Sequence, residues 1–381
     1  MNCTRRSFIQ GSLATLFIGG LNLPLLASSI KKNLIIISLR GGMDGLTAVP
    51  VIGDPKLKKY RSELLLDKRL KLTSDFGLHP KLSTLHNLWN LGKASIVHAT
   101  NIPYNQRSHF DGQNLMESGG ITPYHEKTGW LGRGLKTANL DGSGLALTLP
   151  MPLLLRGIKQ NNNFYPSHKS MPRREIVKIL KSAYEGASEE QLLNVIDVIL
   201  NRPITMQGGN QSLDSLSKRA SKILLDPLGP RVAVFDIEGF DTHAAQGTDE
   251  GEHANNLQDI DLIIKNLYEG LGAEFDNTLI LTLTEFGRTV EQNGGYGTDH
   301  GYGTAILMAG GLLKKSQVYS DWPGLKKNQL FENRDLLSTL DSRGVYASAM
   351  ASVFDLEFDQ IKNNVFWGES IPNLSEDLFK V

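Results

Sequence analysis

The segment Asn33–Leu39, NLIIISL, is a continuous apolar, β-branched run. Such a run suits a strand buried on both faces, as in a parallel sheet. It ends in Arg40-Gly41-Gly42-Met43-Asp44-Gly45, which places a carboxylate just past a first strand. Open α/β sheets bind ligands at that edge. Asp44 is equally at home as a turn residue before Gly45. Comparable runs recur at Ala94–Ala99 (ASIVHA), Arg231–Ile237 (RVAVFDI), Thr278–Leu283 (TLILTL) and Gly303–Ala309 (GTAILMA). Leu145–Leu149 and Leu153–Arg156 read as short strands, and Lys127–Leu135 as a Gly-punctuated segment beside the site or the sheet edge. Helical spacing marks His79–Leu91, Arg173–Tyr184, Ser188–Asn201, Ser212–Leu225, Glu250–Phe275 and Val345–Phe354. The alternation predicts an α/β fold with a mainly parallel central sheet flanked by helices on both faces.

The 381 residues carry 40 basic and 40 acidic side chains. A net charge of zero gives no global signal for nucleic acid or an acidic membrane surface. The one cysteine, Cys3, excludes an intramolecular disulfide and a cysteine metal cluster. At the N-terminus, Arg5-Arg6-Ser7-Phe8 precedes an apolar stretch from Leu13 to Leu26 and the small residues Ala27-Ser28-Ser29. This order matches an export signal with a cleavage site. The paired arginines resemble a twin-arginine signal, which makes the export machinery one partner and the periplasm or exterior the destination. A retained anchor is the other reading, but the apolar core is short and glycine-rich for a span. The expected organisation is a signal at 1–29 and a single domain at 30–381, with a helical insertion or cap at about 170–226.

Three short runs carry the chemistry: Phe240–His243 (FDTH), Thr284–Arg288 (TEFGR) and Gly297–Gly301 (GTDHG). Two directly follow strand-like runs, and the third is a Gly-rich loop. They offer Asp241, His243, Glu285, Asp299 and His300, types that hold a divalent metal. Each alone has an ordinary structural reading, and Glu285 with Arg288 can form an ion pair. Their succession, with Asp44 after the first strand, marks a polar ligand site. Arg107-Ser108-His109-Phe110-Asp111 opens a further helix. Ser108 suits an N-cap with Asp111 at N3. A hydroxyl at a helix N-terminus also faces free N–H groups that favour an anionic ester, with Arg107 as a charged clamp.

GGMDGL, RSHFDGQNLMESG, TGWLGR, FDTHAAQ, TEFGRTVEQNG, GTDHG, YSDWPGL and LDSRGVYAS, with the export signal, resemble the bacterial family called domain of unknown function 1501. That family in turn resembles a distant branch of the alkaline phosphatase and sulfatase superfamily. The resemblance implies an alkaline phosphatase-like fold and divalent metal (zinc, manganese, calcium or magnesium) at the strand ends. It implies Asp241, His243 and His300 at one metal, and Asp44, Glu285 and Ser108 at another. Asp299-His300 can instead supply the superfamily's Asp-His pair, where this chain has Phe286 after Glu285. Ser108 would be the nucleophile, and Arg288 or Arg107 would bind the non-bridging oxygens of a phosphate or sulfate ester on an anionic small molecule or polymer. A catalytically silent exported binding or assembly protein on the same fold is the competing expectation.

Overall fold

The computed structural model describes residues 31–164, 174–184, 193, 196–197, 200 and 211–380. The expected export signal, including Arg5 and Arg6, lies outside these residues, as does most of the Ser188–Asn201 run. No helix among the described residues is long and apolar enough to cross a membrane.

Eleven strands are described: β1 (Asn33–Leu39), β2 (Leu70–Lys71), β3 (Gly77–Leu78), β4 (Ala94–Asn101), β5 (Gly144–Ala146), β6 (Asn162–Asn163), β7 (Val232–Ile237), β8 (Thr278–Thr284), β9 (Thr304–Ala309), β10 (Val318–Tyr319) and β11 (Leu340–Asp341). Nine form one sheet in the order β10-β4-β9-β8-β1-β7-β5-β6, with β11 also on β4. Every pairing in it is parallel except those of β9, which runs antiparallel to both β4 and β8. The expected α/β fold with a mainly parallel sheet is therefore present.

β1 sits at the centre, paired with β7 and β8, and all seven of its residues are buried. Because strand side chains alternate between faces, one run feeds two cores. Leu34 and Ile36 join a core with the Trp130–Thr137, Ser342–Phe354 and Phe358–Val365 helices. Ile35, Ile37 and Leu39 join a core with the Ser83–Asn90, Leu213–Leu224 and Glu252–Leu271 helices. This two-sided burial is why the run is apolar throughout.

The antiparallel β9 matters for position. The chain leaves β8 at Thr284, and the Arg288–His300 bridge is antiparallel. The start of β9 therefore lies at the same sheet edge as the C-terminal ends of β8, β1 and β7. The TEFGR and GTDHG runs meet there, and the FDTH run follows β7 to the same edge.

Two segments differ from expectation. Leu153–Leu155 is a buried 3-10 turn rather than a strand, set between Pro152 and Arg156. Proline supplies no ladder donor, so the apolar triplet packs without pairing. Lys127–Leu135, read as a Gly-punctuated segment with no element assigned, runs into a helix, Trp130–Thr137, with Trp130 wholly buried and stacked on Tyr346 at 5.1 Å between centroids. Its glycines mark close packing. A Cβ on Gly132 would stand 2.2 Å from the carbonyl oxygen of Arg156.

Candidate metal centre

At the C-terminal sheet edge, four side chains from three segments point at one place. His109 is the first residue of the His109–Ser118 helix, whose N-cap Ser108 accepts from the Asp111 N–H at 3.5 Å. Asp241 and His243 follow β7, and His300 lies between β8 and β9. The Nε2 atoms of His109 and His300 are 2.8 Å apart, and those of His243 and His300 2.9 Å apart. Asp241 Oδ1 lies 3.0 Å from the Nε2 of both His300 and His243, and Asp241 Oδ2 3.3 Å from His109 Nε2. His109, Asp241 and His300 alone already satisfy the mutual spacing of a metal group.

The tautomers follow from the other ring nitrogens. His300 Nδ1 faces the carbonyl oxygen of Arg107 at 2.9 Å, and a carbonyl only accepts. His109 Nδ1 faces Glu285 Oε1 at 2.8 Å, and His243 Nδ1 faces Asp299 Oδ1 at 3.1 Å. Each Nδ1 therefore donates, and a ring in that neutral tautomer turns its Nε2 lone pair toward Asp241. Three lone pairs and a carboxylate at this range repel one another unless a cation lies among them. A proton on one imidazole is the minimal cation. A divalent ion satisfies all four donors, and a carboxylate or carbonyl behind each imidazole is the usual outer support of a metal-bound histidine.

The supports shift the titrations accordingly. Burial opposes the Glu285 charge, but hydrogen bonds from His109, Gln113 and the Gly41 N–H outweigh it and hold its carboxyl low. The bond to Glu285 in turn raises His109. Burial also opposes the Asp241 charge, and the Arg288 guanidinium, 2.7 Å away, overcomes this and brings its pKa to about 2. Burial lowers His300. Phe286, fully buried, packs on the rings of His109 and His300 at 4.9 and 5.1 Å. Gly41 has φ +115°, and a Cβ there would stand 2.4 Å from the Asp241 nitrogen, so only glycine lets the β1 loop lie against this ligand.

Asp241, His243 and His300 thus lie together, whereas the structure places the other expected site residues differently. Asp44 is spent elsewhere: its buried carboxylate pairs with Arg61 at 2.6 Å and accepts from Thr47, Gln246 and Leu46. Glu285 and Asp299 stand behind histidines rather than among the converging atoms. Arg288 pairs with Asp241, not Glu285, and three more of its five N–H groups go to Gly41 and Thr298, so it is largely committed within the protein. The Arg107 guanidinium is taken by Asp335 and Glu332, and only its backbone carbonyl serves the centre. Ser108 caps the helix that presents His109. Sequence reasoning missed His109 itself. Its only signal was a place beside Ser108, which local capping already explained.

The outer support gives a direct expectation. Glu285→Gln keeps the shape but weakens the grip on His109 Nδ1. Metal affinity should fall by roughly 10- to 100-fold, measurable by competition with a chromophoric chelator. Unchanged affinity would remove Glu285 from the centre.

The chain belongs to the family described as Protein of unknown function (DUF1501), which matches residues 31–363. No curated protein matches it. Among solved structures it is similar to Ps i-CgsB in complex with k-i-k-neocarrahexaose, at 11% identity and TM-score 0.44, covering 91% of this chain and 76% of that one. It is similar to murine ectonucleotide pyrophosphatase/phosphodiesterase 5 in complex with AMP, at 9% identity and TM-score 0.45, covering 91% and 100%. TAB5 alkaline phosphatase with bound Mg is a further likeness, at 10% identity and TM-score 0.37, covering 76% and 95%. These TM-scores lie below 0.5, so the chemistry is taken from the centre's own residues.

Proposed function

We propose that this member of the DUF1501 family is an exported metal-dependent hydrolase of phosphate or sulfate esters, with one divalent transition metal held by His109, Asp241, His300 and His243. The observation that carries the reading is the convergence of three Nε2 lone pairs and a carboxylate, each imidazole backed by an acceptor on Nδ1. An imidazole-rich set favours zinc or a neighbouring transition metal over calcium or magnesium. Bound there, the metal would supply Lewis-acid polarisation and an acidified water.

The remaining roles fall to the chain. Asp241 brings negative charge to the centre while Arg288 fixes its orientation. Ser108 is the proposed nucleophile: among the described residues its Oγ is held by the 3.5 Å cap bond alone, at the positive end of a ten-residue helix. The half-exposed Asp241 and His243 leave one side open to solvent. Export by the twin-arginine route fits a centre loaded before translocation.

The test is to purify the protein without chelator, measure bound metal, and assay p-nitrophenyl phosphate and p-nitrophenyl sulfate. About one equivalent of transition metal is expected, with turnover lost in Ser108→Ala while the metal stays. No metal, even after incubation with excess ions, would overturn the reading. Metal without turnover on either ester class would favour the silent binding protein. The engagement of Arg107 and Arg288 by protein partners is the observation on that side.

A further inference from the structure

We infer that His243 is the exchangeable arm of this centre: His109, Asp241 and His300 grip the metal, while His243 closes a fourth position and yields it to an oxygen of an incoming oxyanion. The inference rests on the metal reading proposed above and divides the labour among the three imidazoles.

The three rings are held unequally. His109 is backed by Glu285, fully buried, whose Oε1 also accepts from Gly41 N at 2.8 Å and Gln113 Nε2 at 3.0 Å. Gln113 Oε1 in turn accepts from Arg40, so its amide can turn only one way. His300 is backed by a main-chain carbonyl, and the arginine that owns it is pinned by the buried Asp335. His243 leans on Asp299, whose side chain is 49% exposed, through the longest of the three Nδ1 contacts at 3.1 Å.

Packing divides them in the same way. Phe286 buttresses both His109 and His300, whereas the ring contact found for His243 is with His300 itself. The His243 side chain is 45% exposed, against 23% for His109 and 24% for His300. Its backbone, by contrast, is fixed: Asn293 Nδ2 donates to the His243 carbonyl at 2.8 Å, and Thr298 N donates to Thr242 O at 3.1 Å. Exchange therefore needs a side-chain rotation in an exposed ring, with no loop movement. The position it vacates faces solvent, and the occupant that matches a cationic centre is an oxyanion such as phosphate or sulfate.

The test uses the full chain loaded with Co2+, whose visible spectrum reports its donor set, and inorganic phosphate as probe. After gel filtration, wild type and His243→Ala should each keep about one equivalent. The affinity of His243→Ala should drop by no more than about tenfold, the mild end of an outer-support loss. His109→Ala and His300→Ala should come through essentially empty. Phosphate should shift the wild-type spectrum toward that of phosphate-treated His243→Ala. If His243→Ala empties like His109→Ala, or phosphate leaves the wild-type spectrum unchanged, the inference is overturned. His243→Gln runs in parallel and decides the matter should the alanine variant not fold. A wild type that takes up no Co2+ would instead overturn the centre as a whole, so the two failures are distinct.

Discussion

Replacing His109 with alanine is expected to empty the metal centre while leaving the fold standing. His109 supplies one of the two imidazoles in the tightly held group and is the one whose Nδ1 is fixed by a fully buried carboxylate. Affinity should fall by more than about 100-fold, beyond the range for loss of an outer partner. The fold should survive because Glu285 keeps the Gly41 N–H, the Gln113 amide and the Thr284 hydroxyl after the imidazole is gone. Elemental analysis beside circular dichroism separates the two effects. A folded His109→Ala that keeps one equivalent at wild-type affinity would rule out the centre described here.

That the decisive residue escaped sequence reading has a physical cause. Asp241 and His243 share the segment after β7, and the TEFGR and GTDHG runs flank the excursion between β8 and β9, so their meeting follows from strand order. His109 arrives from a helix after β4, three strands away from β1 across the sheet. No local pattern records that approach, and Ser108 as a cap accounts for the neighbourhood without it. Asp44 failed in the opposite sense. Its place after β1 was read correctly, but its partner Arg61 lies between Lys56–Tyr60 and Ser62–Leu64, in a charged stretch that gave no hint of burial. The sheet was legible because β1, β7 and β8 are buried on both faces, and such strands write their environment in every residue. The Trp130–Thr137 helix was not, because glycines needed for close packing look like glycines needed for turns.

Arg61→Ala is expected to cost roughly 3–5 kcal/mol of stability, the range for removing one partner of a buried ion pair. Arg61 and Asp44 are 2% and 1% exposed. Beyond Asp44, Arg61 donates to the carbonyls of Val290 at 2.8 Å and Thr289 at 2.6 Å, so its loss also orphans two acceptors directly after Arg288. The pH dependence identifies the mechanism. In the wild type, burial opposes the Asp44 charge, but Arg61 overcomes it and holds the carboxyl far below its ordinary range. The folded value is thus depressed. That contribution is full above the unfolded value of about 3.9 and fades as pH falls through it toward the folded value. Without Arg61, burial dominates and raises the carboxyl instead, so the variant loses stability as pH rises past the unfolded value. The gap between the two proteins should widen from pH 4 to pH 7 in urea unfolding, with chelator present in both so that metal release does not enter. Asp44→Asn combined with Arg61→Met should recover much of the loss, since no buried charge then lacks a counter-ion. A gap under about 1 kcal/mol at pH 7, the scale of an exposed pair, or one that does not grow with pH, would mean that water reaches this pair and that the segment after Arg288 is held by something else.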